Sequence, residues 1–200
     1  MKNTNTLTRG AIIAALYAAI TLLLAPISYG EIQVRISESL TLLPILLPEG
    51  KKPVMICILK GSVMFYVDLI KKIKRPVEME FMKVSSYGAS TTSTGSINIM
   101  LDIHRKDLSN IDILIIEDII DSGRTLFYLA DYLRFKGAKS VRTCTLLDKP
   151  SRREVGFNAD IVGAEIPNEF VVGYGLDYDE KYGALPFVGV LKPHVYSTGK

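Results

Sequence analysis

Apolar positions along this 200-residue chain fall into short unbroken runs separated by polar turns, and the runs alternate with stretches of helical spacing. The runs at 54–59, 77–84, 97–101, 112–117 and 141–147 are short and rich in Val, Ile and Leu, which predicts strands covered on both faces. Between them, 62–73 and 125–136 carry apolar residues three and four apart. The second ends at Lys136 and Gly137, a basic last turn followed by a glycine stop. Three shorter strands are predicted at 161–164, 170–174 and 187–191 and are expected to form a small hood. The pattern as a whole predicts an α/β domain, a mostly parallel sheet flanked by helices.

The amino end follows a different pattern. Residues 11–25, AIIAALYAAITLLLA, carry no charge, follow Lys2 and Arg9, and stop at Pro26. At about 1.5 Å per residue this stretch falls short of the roughly 20 residues that cross a bilayer. The basic start and apolar middle suit a signal peptide, but Leu23-Leu24-Ala25 is not a small-x-small cleavage site. An Ala-rich buried helix is the alternative, so the placement of this apolar helix stays open between burial and membrane contact. Residues 29–38 then alternate briefly before Leu40 to Leu47 turn apolar around Pro44. The chain therefore divides into an apolar amino-terminal segment, 1–50, and an α/β domain, 51–200.

Composition narrows the function classes. Hydrophobic residues make up 48% of the chain and mean hydropathy is +0.23, slightly high for a soluble domain, with the excess at the amino end. A net charge of +3 without a basic run or aromatic-basic interleaving gives no nucleic-acid surface. Cys57 and Cys144 lie inside apolar strand-like runs, as small buried thiols do in a reducing compartment. His104 and His194 stand apart from other metal-binding side chains, which argues against zinc.

The candidate chemistry is concentrated at 113–125, ILIIEDIIDSGRT. An apolar strand runs into the carboxylates Glu117, Asp118 and Asp121 and then a Ser-Gly turn, and ligands of parallel sheets bind beyond the carboxyl ends of strands. Backbone N–H groups of Asp121 to Thr125 at a helix start can cradle a phosphate, with hydroxyls from Ser122 and Thr125 and close approach at Gly123. Paired acids before that cradle suit the cis hydroxyls of a ribose, or Mg²⁺. An acidic helix cap explains Asp121 and Ser122 but not the two acids before them. Lys60, beside Gly61 at the end of a strand, either snorkels or meets an anion. Residues 85–96 are rich in Ser, Thr and Gly and read as a passive loop or as a lid that excludes water, with Tyr87 as its aromatic. Phe170 reads as core and Asp177 as an ordinary strand-end acid.

Residues 113–125 resemble the phosphoribosyl-diphosphate (PRPP) signature of type I phosphoribosyltransferases, and EDIIDSG is similar to the hypoxanthine-guanine enzymes in particular. The resemblance covers roughly Lys51 to Tyr196 and implies the type I phosphoribosyltransferase fold with its hood. It implies that Glu117, Asp118, Ser122, Gly123, Arg124 and Thr125 bind PRPP, and that Leu59, Lys60 and Gly61 meet pyrophosphate. Ser86 and Tyr87 fall in the family's mobile loop. Lys149, Phe170 and Val171 would hold the purine, Lys149 at O6, and Asp121 would be the general base. Glu117, Asp118 and Asp177 would bind Mg²⁺. The activity implied is purine salvage in the cytoplasm: hypoxanthine or guanine and PRPP to IMP or GMP and pyrophosphate, by a homodimer or homotetramer. A PRPP-binding regulator without catalysis, or an inactive membrane-directed fusion, are the alternatives.

Two departures accompany the resemblance. TRGAIIAALYAAITLLLAPISYG and QVRISESLTLLP, within 8–49, resemble the start of a queuosine-precursor membrane transporter family. The phosphoribosyltransferases normally begin with their own acidic helix and short strand, so a fusion with its junction near Gly50 is expected. Gly183 stands where the family usually has an arginine that meets pyrophosphate.

Overall fold

The computed structural model describes residues 28–32, 52–86 and 97–196. Eight strands and two long helices carry the domain: β2 (Val54–Leu59), α1 (Val63–Lys72), β3 (Glu78–Ser86), β4 (Ile97–Leu101), β5 (Asp112–Ile120), α2 (Arg124–Phe135), β6 (Ser140–Asp148), β7 (Ile161–Glu165), β8 (Val171–Val172) and β9 (Val188–Leu191). A preceding strand, β1 (Ser28–Ile32), a 3₁₀ turn at Pro150–Arg152 and a four-residue closing helix, α3 (Pro193–Tyr196), complete the described elements.

Six strands form the main sheet in the order β4-β3-β2-β5-β6-β7, parallel except for the β3–β4 pair. Alternation along β2 explains the two-sided core: Val54, Ile56 and Ile58 face Leu126, Leu129 and Leu133 of α2, whereas Met55 and Cys57 face Phe65, Tyr66 and Leu69 of α1. The two helices therefore cover opposite faces. From β2 the chain crosses over α1 to β3 on one side, and from β5 it crosses over α2 to β6 on the other. The order reverses between β2 and β5, the place where open α/β sheets leave a crevice at the strands' carboxyl ends. That crevice is real here. The pairing of β2 with β5 stops at Cys57↔Ile116, while β5 continues beside β6 to Ile120↔Asp148.

A second, three-stranded antiparallel sheet in the order β1-β9-β8 makes the hood. Strands β2 and β4 match their predicted bounds, and both long helices fall within a residue of theirs. Three expectations change. The predicted hood strand at 161–164 belongs to the main sheet, because Ile161 pairs in parallel with Cys144 and sinks into the core on the α1 side. The strand at 170–174 shrinks to Val171–Val172, since Gly173, Tyr174 and Gly175 all have positive φ and turn the chain. A strand does precede β2: residues 28–32, assigned to the amino-terminal segment, form the outer edge of the hood. The apolar helix expected at 11–25 and the loop residue Tyr87 lie outside the described residues.

Cys57 and Cys144 are free and buried, and burial pushes their thiols up to about 11 and about 12 respectively. Both are therefore inert protonated core residues.

Candidate active site

Four segments meet over the crevice between β2 and β5. The first, Leu59-Lys60-Gly61-Ser62, joins β2 to α1 and contains a cis peptide between Leu59 and Lys60. The hydroxyl of Ser62 donates to the Ile58 carbonyl at 2.5 Å and lies 3.2 Å from the Cys57 sulfur, which ties the loop back onto its strand. Gly61 sits against the acids. A Cβ there would lie 1.6 Å from Oδ2 of Asp118, and one on Gly175 would lie 1.9 Å from the Gly61 carbonyl oxygen. Lys60, exposed, reaches across to Glu180 at 2.7 Å. Glu180 is placed by its own N–H, which donates to Asp177 at 2.9 Å.

The second segment is the end of β5. Sequence reasoning ended this strand at Glu117, whereas it runs on through Asp118 to Ile120, since Ile119 and Ile120 prolong the ladder with β6. The two carboxyls are neighbours and both are raised above the usual range. Burial is the main cause at each, reinforced at Glu117 by the Asp118 charge and offset at Asp118 by hydrogen bonds from Glu117 and the Ile119 N–H. Oε2 of Glu117 is buried without a hydrogen-bond partner among the described residues. A buried carboxylate oxygen without a donor is costly and is normally matched by a ligand or ion.

Beyond Ile120 lies the third segment, the turn Asp121-Ser122-Gly123 that leads into α2. Gly123 adopts a left-handed conformation at φ 81° as the residue capping α2, which has no side-chain cap. A cavity of about 90 Å³ opens here, lined by Glu117, Asp121, Ser122, Gly123 and Thr125 among others. Arg124 pairs its guanidinium with Glu154 at 2.6 Å and is not among the residues that line the cavity.

Lys149 provides the fourth wall, just past β6, where its N–H donates to the Ile120 carbonyl at 3.0 Å. Its side chain is buried, and its ammonium has no hydrogen bond among the described residues. Burial lowers its pKa, partly offset by the Asp121 charge. On the hood side, Phe170 is 37% exposed, meets Tyr178 edge-on at 5.5 Å and stacks with Tyr196 at 5.1 Å. Val171 is buried and pairs with Val190.

The structure thus brings Gly61, Asp118 and the Glu117–Thr125 stretch together, with Lys149 beside Asp121. Ser86 ends β3 opposite Ile97, away from these contacts. Among the described residues no three His, Cys, Asp or Glu side chains form a ready-made metal cage. The fit to Mg²⁺ is of another kind. Mg²⁺ commonly binds through one or two carboxylates plus substrate phosphates and water, and the unpartnered Glu117 oxygen beside Asp118 offers such a pair.

Sequence reasoning missed the segment 152–155 beneath the turn. Arg152 Nε donates to the Asp121 carboxylate at 3.0 Å and Arg153 Nη1 to the Asp121 carbonyl at 2.6 Å. Adjacent arginines following Lys149 were a signal, but nothing in their spacing says which carboxylate they face.

Comparison with known proteins agrees with this geometry. The phosphoribosyl transferase domain family matches residues 42–179. The chain belongs to that family. A hypoxanthine-guanine phosphoribosyltransferase of Bacillus subtilis is 55% identical over 146 residues, 73% of this chain and 81% of that protein. The bifunctional protein TilS/HprT of Listeria innocua is 54% identical over 149 residues, 74% of this chain but only 23% of the relative's length. A crystal structure of a hypoxanthine phosphoribosyltransferase from Staphylococcus aureus superposes with a TM-score of 0.76 at 41% identity, covering 87% of this chain and 97% of that one. The QueT transporter family matches residues 7–70, overlapping the start of the enzyme match. No helix among the described residues is long and apolar enough to cross a membrane.

Proposed function

We propose that this chain transfers a phosphoribosyl group from PRPP to hypoxanthine or guanine, giving IMP or GMP and pyrophosphate. The observation that carries the reading is a complementary pair on either side of Asp121: the Glu117 carboxyl oxygen, buried without a partner, and Lys149, a largely buried cation whose ammonium makes no hydrogen bond among the described residues. One seeks a donor such as a ribose hydroxyl. The other seeks an acceptor such as a purine carbonyl.

Each segment then has a task. The turn 121–125 presents backbone N–H groups and the Ser122 and Thr125 hydroxyls to the 5-phosphate in the cavity. Glu117 and Asp118 accept hydrogen bonds from the ribose hydroxyls. Departing pyrophosphate meets Lys60 and the backbone of Leu59 and Gly61, and Lys60 exchanges Glu180 for the anion. Mg²⁺, held by Glu117, Asp118 and Asp177 with the substrate, would neutralise charge on the leaving group when bound. Lys149 donates to O6, which selects a 6-oxopurine over adenine, whose amine would leave the buried ammonium without an acceptor. Phe170 stacks on the purine with the ring face that Tyr196 leaves free, and the Val171 backbone borders it. Asp121 takes the proton from the ring nitrogen as the glycosidic bond forms. The loop with Ser86 and Tyr87 excludes water.

Assays of IMP and GMP formation from PRPP, Mg²⁺ and each base test the proposal, with adenine as the excluded substrate. In Asp121→Asn, turnover should fall far more than PRPP affinity. Equal loss of both would make Asp121 a binding residue only. The enzyme is proposed to be cytoplasmic and a homo-oligomer. Met64 and Val67 of α1, Met79 and Phe81 of β3 and Met100 of β4 are all exposed, more apolar surface than a monomer needs to show. A monomeric mass by light scattering would refute the oligomer.

A further inference from the structure

The phosphate turn has little of its own to hold it. Helix α2 begins without a side-chain cap; the Gly123 carbonyl accepts from the Phe127 N–H at 3.0 Å, but the contact of the Arg124 N–H with the Ser122 hydroxyl is long at 3.4 Å. What fixes the turn comes from below. Arg153 Nη1 donates to the Asp121 carbonyl at 2.6 Å, and the Glu154 N–H donates to the Ser122 carbonyl at 3.0 Å. The stem of Arg153 lies under Gly123, where an added Cβ would meet its Cδ at 3.0 Å.

These bonds decide where the amides point. In a trans peptide the C=O and the following N–H point in opposite directions. The Asp121 and Ser122 carbonyls are drawn down to segment 153–154, so the N–H groups of Ser122 and Gly123 face the other way, toward the cavity they line. A carbonyl turned up instead would put a negative dipole against a phosphate. Arg153 is itself fixed. Its Nη2 pairs with Asp148 at the end of β6, and the two side chains are only 13% and 9% exposed. Asp148 immediately precedes Lys149, so one guanidinium ties the strand that carries the purine contact to the turn that carries the phosphate contact.

We propose that Arg153, anchored by Asp148, is the positioning residue of the phosphate turn, holding its carbonyls away from a sugar-phosphate ligand and its amides toward it. The role rests on the reading of that turn as a 5-phosphate cradle. Arginine is required because a planar fork spans a carboxylate and a carbonyl together, whereas a lysine ammonium satisfies the charge of Asp148 without reaching both.

The test is Arg153→Lys in the full chain, read by calorimetric binding of ribose 5-phosphate and by KM for PRPP and for hypoxanthine. The lysine variant should stay folded with its core intact. Its Kd for ribose 5-phosphate and its KM for PRPP should rise roughly tenfold, as expected for a lost charge-assisted hydrogen bond, with KM for hypoxanthine little changed. A folded variant that binds ribose 5-phosphate like the parent overturns the proposal, and so does an equal rise in both KM values. Should the lysine variant not fold, Asp148→Asn, which keeps the arginine and removes its anchor, is measured in the same way. Parent-like affinity there, or failure of both variants to fold, reduces the pair to a structural one. Parent protein that turns over PRPP while Arg153→Lys binds normally would refute Arg153's role and keep the transferase. Parent protein that binds ribose 5-phosphate in an Arg153-dependent way but forms no nucleotide would do the reverse.

Discussion

Replacing Lys149 with methionine should make the protein more stable and a poorer enzyme, and the two effects can be sized from the same ammonium. Lys149 is 9% exposed and its Nζ has no hydrogen bond among the described residues. Swapping buried ionic groups for apolar ones of similar volume gains 1–4 kcal/mol. The low end, about 1–2 kcal/mol, applies because the Asp121 and Glu169 charges offset part of the burial. For a chain of this size that is a rise in Tm of roughly 2–8 °C. Against this, a charge-assisted hydrogen bond to purine O6 is worth about 1.5–3 kcal/mol, or roughly 10- to 150-fold in kcat/KM for hypoxanthine. Burial lowers the pKa of Lys149 below 10.5, so between the folded value and 10.5 the unfolded chain holds the extra proton. Its cost to the parent is therefore full at neutral pH and fades as pH rises toward 10.5, and the Tm gap between variant and parent should narrow over that range. Differential scanning calorimetry across pH, with initial rates on hypoxanthine and adenine, reads both effects. A variant that melts lower than the parent and keeps its purine KM would refute the reasoning, since Lys149 would then be a packing residue.

Other residues carry sharper single outcomes. Gly123→Ala forces φ 81° on a residue with a Cβ and presses it to 3.0 Å from the Arg153 stem. It should cost about 1–2 kcal/mol or more in chemical denaturation and weaken PRPP binding; an unchanged midpoint would show that the turn yields freely. At Gly183 a Cβ would have ordinary contacts, 3.4 Å to Asp177 and 3.5 Å to the Gly175 carbonyl, so Gly183→Arg should fold normally. Its KM for PRPP should drop by about threefold or more through an added cation near pyrophosphate, and no drop would mean that the side chain points elsewhere. The raised pKa of Glu117 means that the folded state holds a proton that the unfolded state gives up above about 4.5, so this group's contribution to stability is lost as pH rises through its folded value. Glu117→Gln should accordingly raise Tm above that value and abolish stabilisation by Mg²⁺ with ribose 5-phosphate. Retention of the Mg²⁺ effect would remove Glu117 from the metal site.

Much of this was legible because parallel strands announce themselves. The two-sided burial of β2 and β5 requires unbroken apolar runs, and those runs marked both strands and the carboxyl end at which the acids fall. The EDIIDSG stretch carried the family resemblance, which the family match over 42–179 bears out. What stayed hidden was set by contacts between distant segments. Nothing periodic marks Arg153 as the partner of Asp148, or Glu180 as the partner of Lys60 across 120 positions. Strand β7 was misplaced because a five-residue strand with one buried end has the same pattern in a hood as at the edge of a main sheet. Ile119 and Ile120 were read as turn residues because two acids interrupt the apolar run before them, yet backbone pairing with β6 carries the strand through.

The edge of the hood has an evolutionary consequence. Strand β1 joins β9 through main-chain hydrogen bonds, a form of recognition that tests for extended backbone and accepts many side chains. A domain whose outermost strand is docked in this way can exchange its leading segment for one of different ancestry, provided that a few residues arrive in extended form at the right distance. In this chain the transporter-family match over 7–70 and the transferase-family match over 42–179 both take in residues 42–70. The same property imposes a constraint: a truncation that keeps residues 28–32 keeps the strand on β9, whereas one that passes residue 32 bares the β9 edge to any passing chain.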